Sequence, residues 1–415
     1  MNDHDQRIIR SLAGEIAERA SSAVNEEKRR AWYALDDGQS DRPMILAELQ
    51  GLPDSELPGE ITSLACESDD ARAMERRLRI GIYQHDTLRD DHVIEPFVNV
   101  NWNVTASDYG VTVEYHTPAG DGHVTARRWD SPITDLDRDL ALLKPRRFAV
   151  DRAATMEAFE RAGELFDGIL EPRIRGSFYW TLGMTWTAIE LYGLERLMMA
   201  MYDNPDGLHR LMRFLADDAL AFTAWLETEG LYTLNNEDDY IGSGSMGYTR
   251  DLPAAGHNEQ RPARRDLWCL SESQETVGVG PEMFAEFVFP YQKEITDHFG
   301  KVYYGCCEPL HSRIDIVRQM DNLARVSVSP WADEHAMAAV CGRDLVYSRK
   351  PNPATISAPS WDEDLLRDDI RGTLSAAKRC RTEIIMKDVH TLAGEPDRLA
   401  RWVGIARDEV DRFGG

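Results

Sequence analysis

From about residue 150 onward, short β-rich runs alternate with helical stretches, and this alternation limits the fold more than any other feature of the sequence. Strand-like runs fall near 174–180, 231–235, 266–270, 301–306, 324–329, 344–348 and 382–386. Between them lie helical stretches at 151–166, 185–202, 205–229, 281–299, 310–320, 333–340, 361–379 and 396–413. Strand, helix, strand in sequence implies parallel strands joined by crossover helices. So many units without a Gly-rich dinucleotide fingerprint favour a closed ring over an open sheet. The expected fold class is therefore α/β, a (β/α)8 TIM-type barrel with an irregular α+β N-terminal extension. Residues 1–150 would form the extension packed on the barrel, and 151–415 the barrel. Within the extension the patterns predict a surface helix over 5–35, a strand over 42–49, a helix over 66–88 and a strand over 92–104. A hairpin is expected from 110–117 and 122–129, turning at Pro118-Ala119-Gly120-Asp121.

The chain has 415 residues, and its hydrophobic content of 42% is ample for a large core. A net charge of −25 with no basic stripe argues against a nucleic-acid partner. No run approaches membrane-spanning length, and the charged, amphipathic N-terminus lacks an apolar signal core. Six irregularly spaced cysteines do not suggest a disulfide framework. A cytoplasmic protein with reduced thiols is expected.

In a barrel the active site lies at the carboxyl ends of the strands. Those ends carry Asn236, Asp238 and Tyr240, then Glu272 and Glu275, then Cys306-Cys307-Glu308, Arg349 and Lys350, and finally Lys387-Asp388-Val389-His390. Thiolates suit zinc, and a catalytic zinc commonly keeps three protein ligands and an open position. Adjacent cysteines at a strand end can equally be buried, small apolar residues. His390 can serve as a ligand or as an acid–base group, or be structural. Glu272 and Glu275 can act as acid or base, or cap a helix entry. Arg349 and Lys350 can bind an anionic substrate or pair with a neighbouring loop. The loop 238–250 is glycine-rich but matches no phosphate-binding pattern, and a mobile lid is one reading of it. No Gly-x-Ser-x-Gly elbow is present.

The segments at 176–212, 275–295 ("ETVGVGPEMFAEFVFPYQKEI"), 303–310 ("YYGCCEPL") and 387–392 ("KDVHTL") resemble the uroporphyrinogen decarboxylase superfamily. They resemble in particular its zinc-dependent methyltransferases, which work with corrinoid proteins. The likeness spans roughly 170–412 and implies a (β/α)8 barrel. In those methyltransferases zinc is held by His-x-Cys on one strand and a second cysteine near the last. Here Tyr304 or Gly305 stands at the histidine position, and His390 stands near the late cysteine. The resemblance thus implies an altered ligand set drawn from Cys306, Cys307, Glu308 and His390. The first strand, "MILAELQG", lacks the arginines that bind porphyrinogen carboxylates, so porphyrinogen decarboxylation is not expected.

The function expected from these readings is a methyltransferase moving a methyl group from a small methylated substrate to a separate corrinoid protein. Zinc would activate the leaving heteroatom, with Glu272, Glu275 and His390 as catalytic groups. Asn236, Asp238, Tyr240, Arg349 and Lys350 would bind substrate. The corrinoid would arrive on its own protein, because no corrinoid-binding sequence is visible. A metal-free decarboxylase or lyase and a non-catalytic small-ligand-binding barrel are the alternatives, and a homodimer is left open.

Overall fold

The computed structural model describes residues 1–40, 42–116 and 128–414. Eight parallel strands matter for the site: β1 (Met44–Ala47), β2 (Phe97–Asn101), β3 (Glu171–Arg175), β4 (Trp268–Ser271), β5 (Lys301–Tyr304), β6 (Leu323–Val328), β7 (Val346–Arg349) and β8 (Arg381–Met386). Six of them form one sheet in the order β1-β8-β7-β6-β5-β4, every pairing parallel. Strands β2 and β3 form a separate parallel pair. The protein is thus a mixed α/β fold of TIM-like character. The expected closed eight-stranded ladder does not form among the described residues.

Side chains explain where the ladder stops. The outer edge of β1 is met by two carboxylates: Ile45 N–H donates to Asp91 at 2.7 Å and Ala47 N–H to Asp90 at 3.0 Å. At the opposite edge, Asn235 takes the Trp268 N–H at 2.9 Å and returns its amide to the Trp268 carbonyl at 3.1 Å. Buried backbone groups need partners, and here side chains supply them in place of a strand. The expected strand at 231–235 is accordingly irregular.

The first 150 residues contribute a strand to the main sheet, since β1 pairs with β8. The single surface helix expected over 5–35 is two helices, Asp3–Ala20 and Ala23–Asp36, the second capped by Ser22. Both bury one face: Ile9, Leu12, Ala13, Trp32 and Leu35 are in the core. The hairpin around 118–121 has its turn outside the described residues, while its flanks pair as Glu114–His116 with Arg128–Asp130. Helix Pro205–Glu229 opens with an Asn204 cap and Pro at its first turn, as expected. The helical pattern 185–202 is interrupted at Gly193, whose φ of +90° no other residue adopts easily.

The loop 238–250 is not an exposed lid. Residues 241–249 are all buried, and Tyr240–Gly242 pairs with Ser245–Met246 as a tight hairpin inside the sheet's concave face. A Cβ on Gly244 would lie 2.7 Å from Ile385 and 2.8 Å from Glu48. Glycine there is a packing requirement rather than a hinge. Arg325 on β6 anchors the hairpin: its guanidinium donates to the Ser245 hydroxyl and Met246 carbonyl, each at 2.8 Å, and to the Tyr248 carbonyl at 3.2 Å. The same group pairs with Asp36 at 3.1 Å and Glu383 at 3.3 Å. No described helix is long and apolar enough to cross a membrane.

Removing one partner of a buried charge network leaves the others uncompensated, at a cost of about 3–5 kcal/mol. Arg325→Met is therefore expected to lower unfolding free energy by about that amount in urea titration. Retention of wild-type stability would show that Asp36 and Glu383 do not depend on it.

Candidate active site

The sequence YYGCCEPLH ends β5 and turns at once. Gly305 has φ +98°, and a Cβ there would meet Leu310 at 2.7 Å. This turn points the Cys306 sulfur inward, where it is buried, while Cys307 stays exposed. Three neighbours surround the Cys306 sulfur: the Cys307 sulfur at 3.6 Å, the Ser243 hydroxyl at 3.7 Å and Lys387 Nζ at 3.8 Å. Lys387 Nζ also reaches Ser243 at 3.3 Å and Asp388 at 3.5 Å. Contact with the Cys307 sulfur lowers the Cys306 pKa most, and the Lys387 charge lowers it further against the cost of burial. Cys307 is pushed the other way, first by that same contact and then by burial. Lys387 is raised, because the Cys306 and Asp388 charges outweigh its desolvation. The arrangement sets a buried thiol of lowered pKa beside a lysine ammonium, with an exposed thiol of raised pKa next to it. Ser243 and Asp388 both hold left-handed backbone, φ +46° and +57°, a costly conformation that clusters at functional sites.

A carboxyl cluster adjoins this pair. Glu308 accepts the Ser273 N–H at 2.9 Å and the Cys306 N–H at 2.8 Å, tying the ends of β4 and β5 together. Glu272 is fully buried; one oxygen accepts the Gln274 N–H at 2.9 Å and the other has no hydrogen-bond partner. Burial, then the nearby Glu275 and Glu308 charges, push the Glu272 pKa well up, which favours its protonated form. Glu275 accepts from the Thr185 hydroxyl at 2.6 Å. Gln292 holds the wall beneath: it donates to the carbonyls of Gly183 (2.8 Å) and Glu272 (2.7 Å) and accepts from Tyr304 at 2.7 Å. The conspicuous block GPEMFAEFVFPYQKEI thus contributes a residue that positions two strand ends.

The other expected site residues are dispersed. His390 is exposed, with Nδ1 3.3 Å from the Gly51 carbonyl. Arg349 faces the helical layer, bonded to Thr373, Glu334 and Asp369, because it alternates with the inward Ser348. Lys350 does lie inside: its ammonium donates to the Ser348 hydroxyl at 2.5 Å, Tyr303 at 3.0 Å and the Ser348 carbonyl at 3.1 Å. Burial lowers its pKa to about 7. Asn236 holds the Leu252 carbonyl at 2.8 Å. Asp238 and Tyr240 line a separate cavity of about 220 Å³ with Arg175 and Trp180, and burial raises Asp238 to about 7.

Cys306, Cys307, Glu308 and His390 are therefore not brought together as one donor set. Both Glu308 oxygens are engaged by backbone N–H groups, His390 turns to Gly51, and Lys387 already supplies positive charge to Cys306. These residues, so arranged, do not fit zinc. Among the described residues, one group of three potential ligands does converge: Glu114, His116 and Asp130, exposed on the hairpin flanks.

No family model and no curated protein matches the sequence. Among solved structures the fold has a counterpart. The chain is similar in fold to a methyltransferase from Methanosarcina mazei. The two superpose with a TM-score of 0.51 over 94% of this chain and 99% of the other, at 11% identity. At that identity the likeness concerns the fold.

Sequence reasoning missed Ser243, Glu48 and the pairing of Lys387 with Cys306. Lys387 directly follows β8, at the end the strand pattern already gives, and the sequence carried no sign that its ammonium turns to Cys306. Glu48, which packs against Gly244 and is raised by burial, directly follows β1. Ser243 carried no signal beyond its glycine neighbours. Lys387→Met should raise the Cys306 pKa. Thiolate absorbance near 240 nm, titrated in a Cys307→Ser background with and without Lys387, reads the shift directly; coincident curves would remove Lys387 as the counter-charge.

Proposed function

We propose that this chain is an enzyme of methyltransferase type, moving a methyl group from a small methylated substrate to a separate corrinoid protein. The observation that carries the reading is a buried carboxyl whose pKa is pushed up, Glu272, beside a buried thiol whose pKa is pushed down, Cys306, at neighbouring strand ends. The fold likeness to a methyltransferase and the YYGCCEPL and KDVHTL segments support it. The same reading takes β3 and the irregular stretch 231–235 as the remaining staves of an eight-stave barrel. It is supported by the Gly176 N–H, which donates to Thr233 at 2.9 Å, and by the Asn235 clasp on Trp268.

A corrinoid, when its carrier protein docks, would supply the nucleophile that accepts the methyl group. The residues of this chain do the rest. For a neutral donor, the bond from methyl carbon to heteroatom breaks, its electron pair stays on the heteroatom, and Glu272 gives that atom a proton. Glu308 keeps the strand ends in register while Glu272 is charged. The Cys306 thiolate sets negative charge near a methyl carbon that is partly positive in flight, and Lys387 keeps the sulfur ionised. No step requires zinc, in keeping with the donor geometry.

The test is a panel of neutral methyl donors, ethers and thioethers, mixed with the protein and free reduced cobalamin. Methylcobalamin should form, as read by its spectrum. Glu272→Gln should slow it by about 100-fold, the usual scale for a general acid. In the wild type, kcat should fall as pH rises through the elevated Glu272 pKa, since the protonated form is active; Glu272→Gln should lack that limb. No methylcobalamin with any donor would sink the reading.

A further inference from the structure

A second cavity, of about 450 Å³, lies beside the carboxyl cluster and belongs to none of the chemistry above. It forms where the loop after β3 meets helix Pro205–Glu229 and the segment around Tyr109 and Arg146. Its walls are mainly aromatic: Phe178, Tyr179, Trp180, Trp186 and Phe222 line it, together with Glu275 of the carboxyl cluster. Trp180 and Trp186 remain 44% and 40% exposed, so the cavity opens to solvent between two large indoles.

The charge of the lining is the second observation. Arg146 also lines the cavity, but Asp218 neutralises it: Nε and the backbone N–H of Arg146 donate to the Asp218 carboxylate at 2.7 and 3.0 Å. Its guanidinium lies over the rings of Tyr109, Phe222 and Phe148, 5.1, 5.3 and 5.4 Å from their centroids. One end of the aromatic enclosure thus already holds a cation on its ring faces. Once Arg146 and Asp218 cancel, Glu275 leaves the lining with a net negative charge. Aromatic rings and one carboxylate around a solvent-open space of this size select a small organic cation, because ring quadrupoles attract positive charge and methyl groups fill the apolar volume.

We infer that this cavity binds a small methylated ammonium cation. An N-methyl ammonium would sit among Phe178, Tyr179, Trp180 and Trp186 with its charge toward Glu275. A ligand there would lie next to the carboxyl cluster, yet its binding does not rest on the methyl-transfer reading and needs no turnover.

The test is calorimetry and tryptophan fluorescence on the full chain with choline and tetramethylammonium as probes. The neutral isostere 3,3-dimethylbutan-1-ol has the shape of choline without its charge. Choline is expected to bind and to quench tryptophan emission, with the isostere weaker by roughly tenfold, the scale of a cation–aromatic contribution. Trp180→Leu, at an exposed position, should weaken choline by a similar roughly tenfold factor. Glu275→Gln, which keeps the Thr185 contact, should narrow the gap between choline and the isostere. Equal affinity for choline and the isostere would overturn the inference, as would the absence of choline binding. If choline binds and no methylcobalamin forms with any neutral donor, the cation site stands and the proposed enzyme activity falls.

Discussion

Arg325 is the interaction on which the interior depends. From β6 it reaches the C-terminal end of the second helix through Asp36, strand β8 of the same sheet through Glu383, and the buried hairpin through Ser245, Met246 and Tyr248. A fully buried guanidinium is tolerable only when its charge is met from several sides, and here both terminal nitrogens are bonded. That requirement fixes the hairpin inside the concave face, and the hairpin in turn carries Ser243 to Cys306. A second chain of polar contacts continues from Glu383 through Ser348 to Lys350 and Tyr303. The polar interior therefore runs from the helix Ala23–Asp36 to the strand ends without an apolar break.

At those ends two opposite electrostatic demands are met a few residues apart. Glu272, given little to offset its burial, is pushed toward its protonated form; Cys306, given the Cys307 contact and Lys387, is pushed toward its ionised form. Glu308 makes this possible mechanically, because its two oxygens tie Ser273 to Cys306. Pairs of titratable groups pushed apart in this way are a common device for acid and nucleophilic work in one site.

Much of this was legible in the sequence. Parallel strands over the last half follow from periodicity, and the strand ends name Cys306, Cys307, Glu272, Arg349 and Lys350 without telling which of each neighbouring pair turns inward. The failures have physical causes. Gly242–Gly244 reads as a flexible loop, yet its glycines are there because Tyr303, Ile385 and Glu48 leave no room for a side chain. Arg349 and His390 share the rim in sequence, but alternation on β7 turns Arg349 outward and the left-handed Asp388 lies before an exposed His390. The ladder's ends, closed by Asp90, Asp91 and Asn235, depend on side-chain contacts that no strand pattern encodes.

The claim that ties these points together is that the positive charge beside Cys306 is Lys387. Zinc analysis tests it most directly, on protein purified without oxygen, incubated with excess zinc and desalted. The expected result is far less than one zinc per chain, unchanged in Cys306→Ala and Cys307→Ala. One retained zinc per chain, lost in both variants, would contradict it and put a metal at the centre of the site.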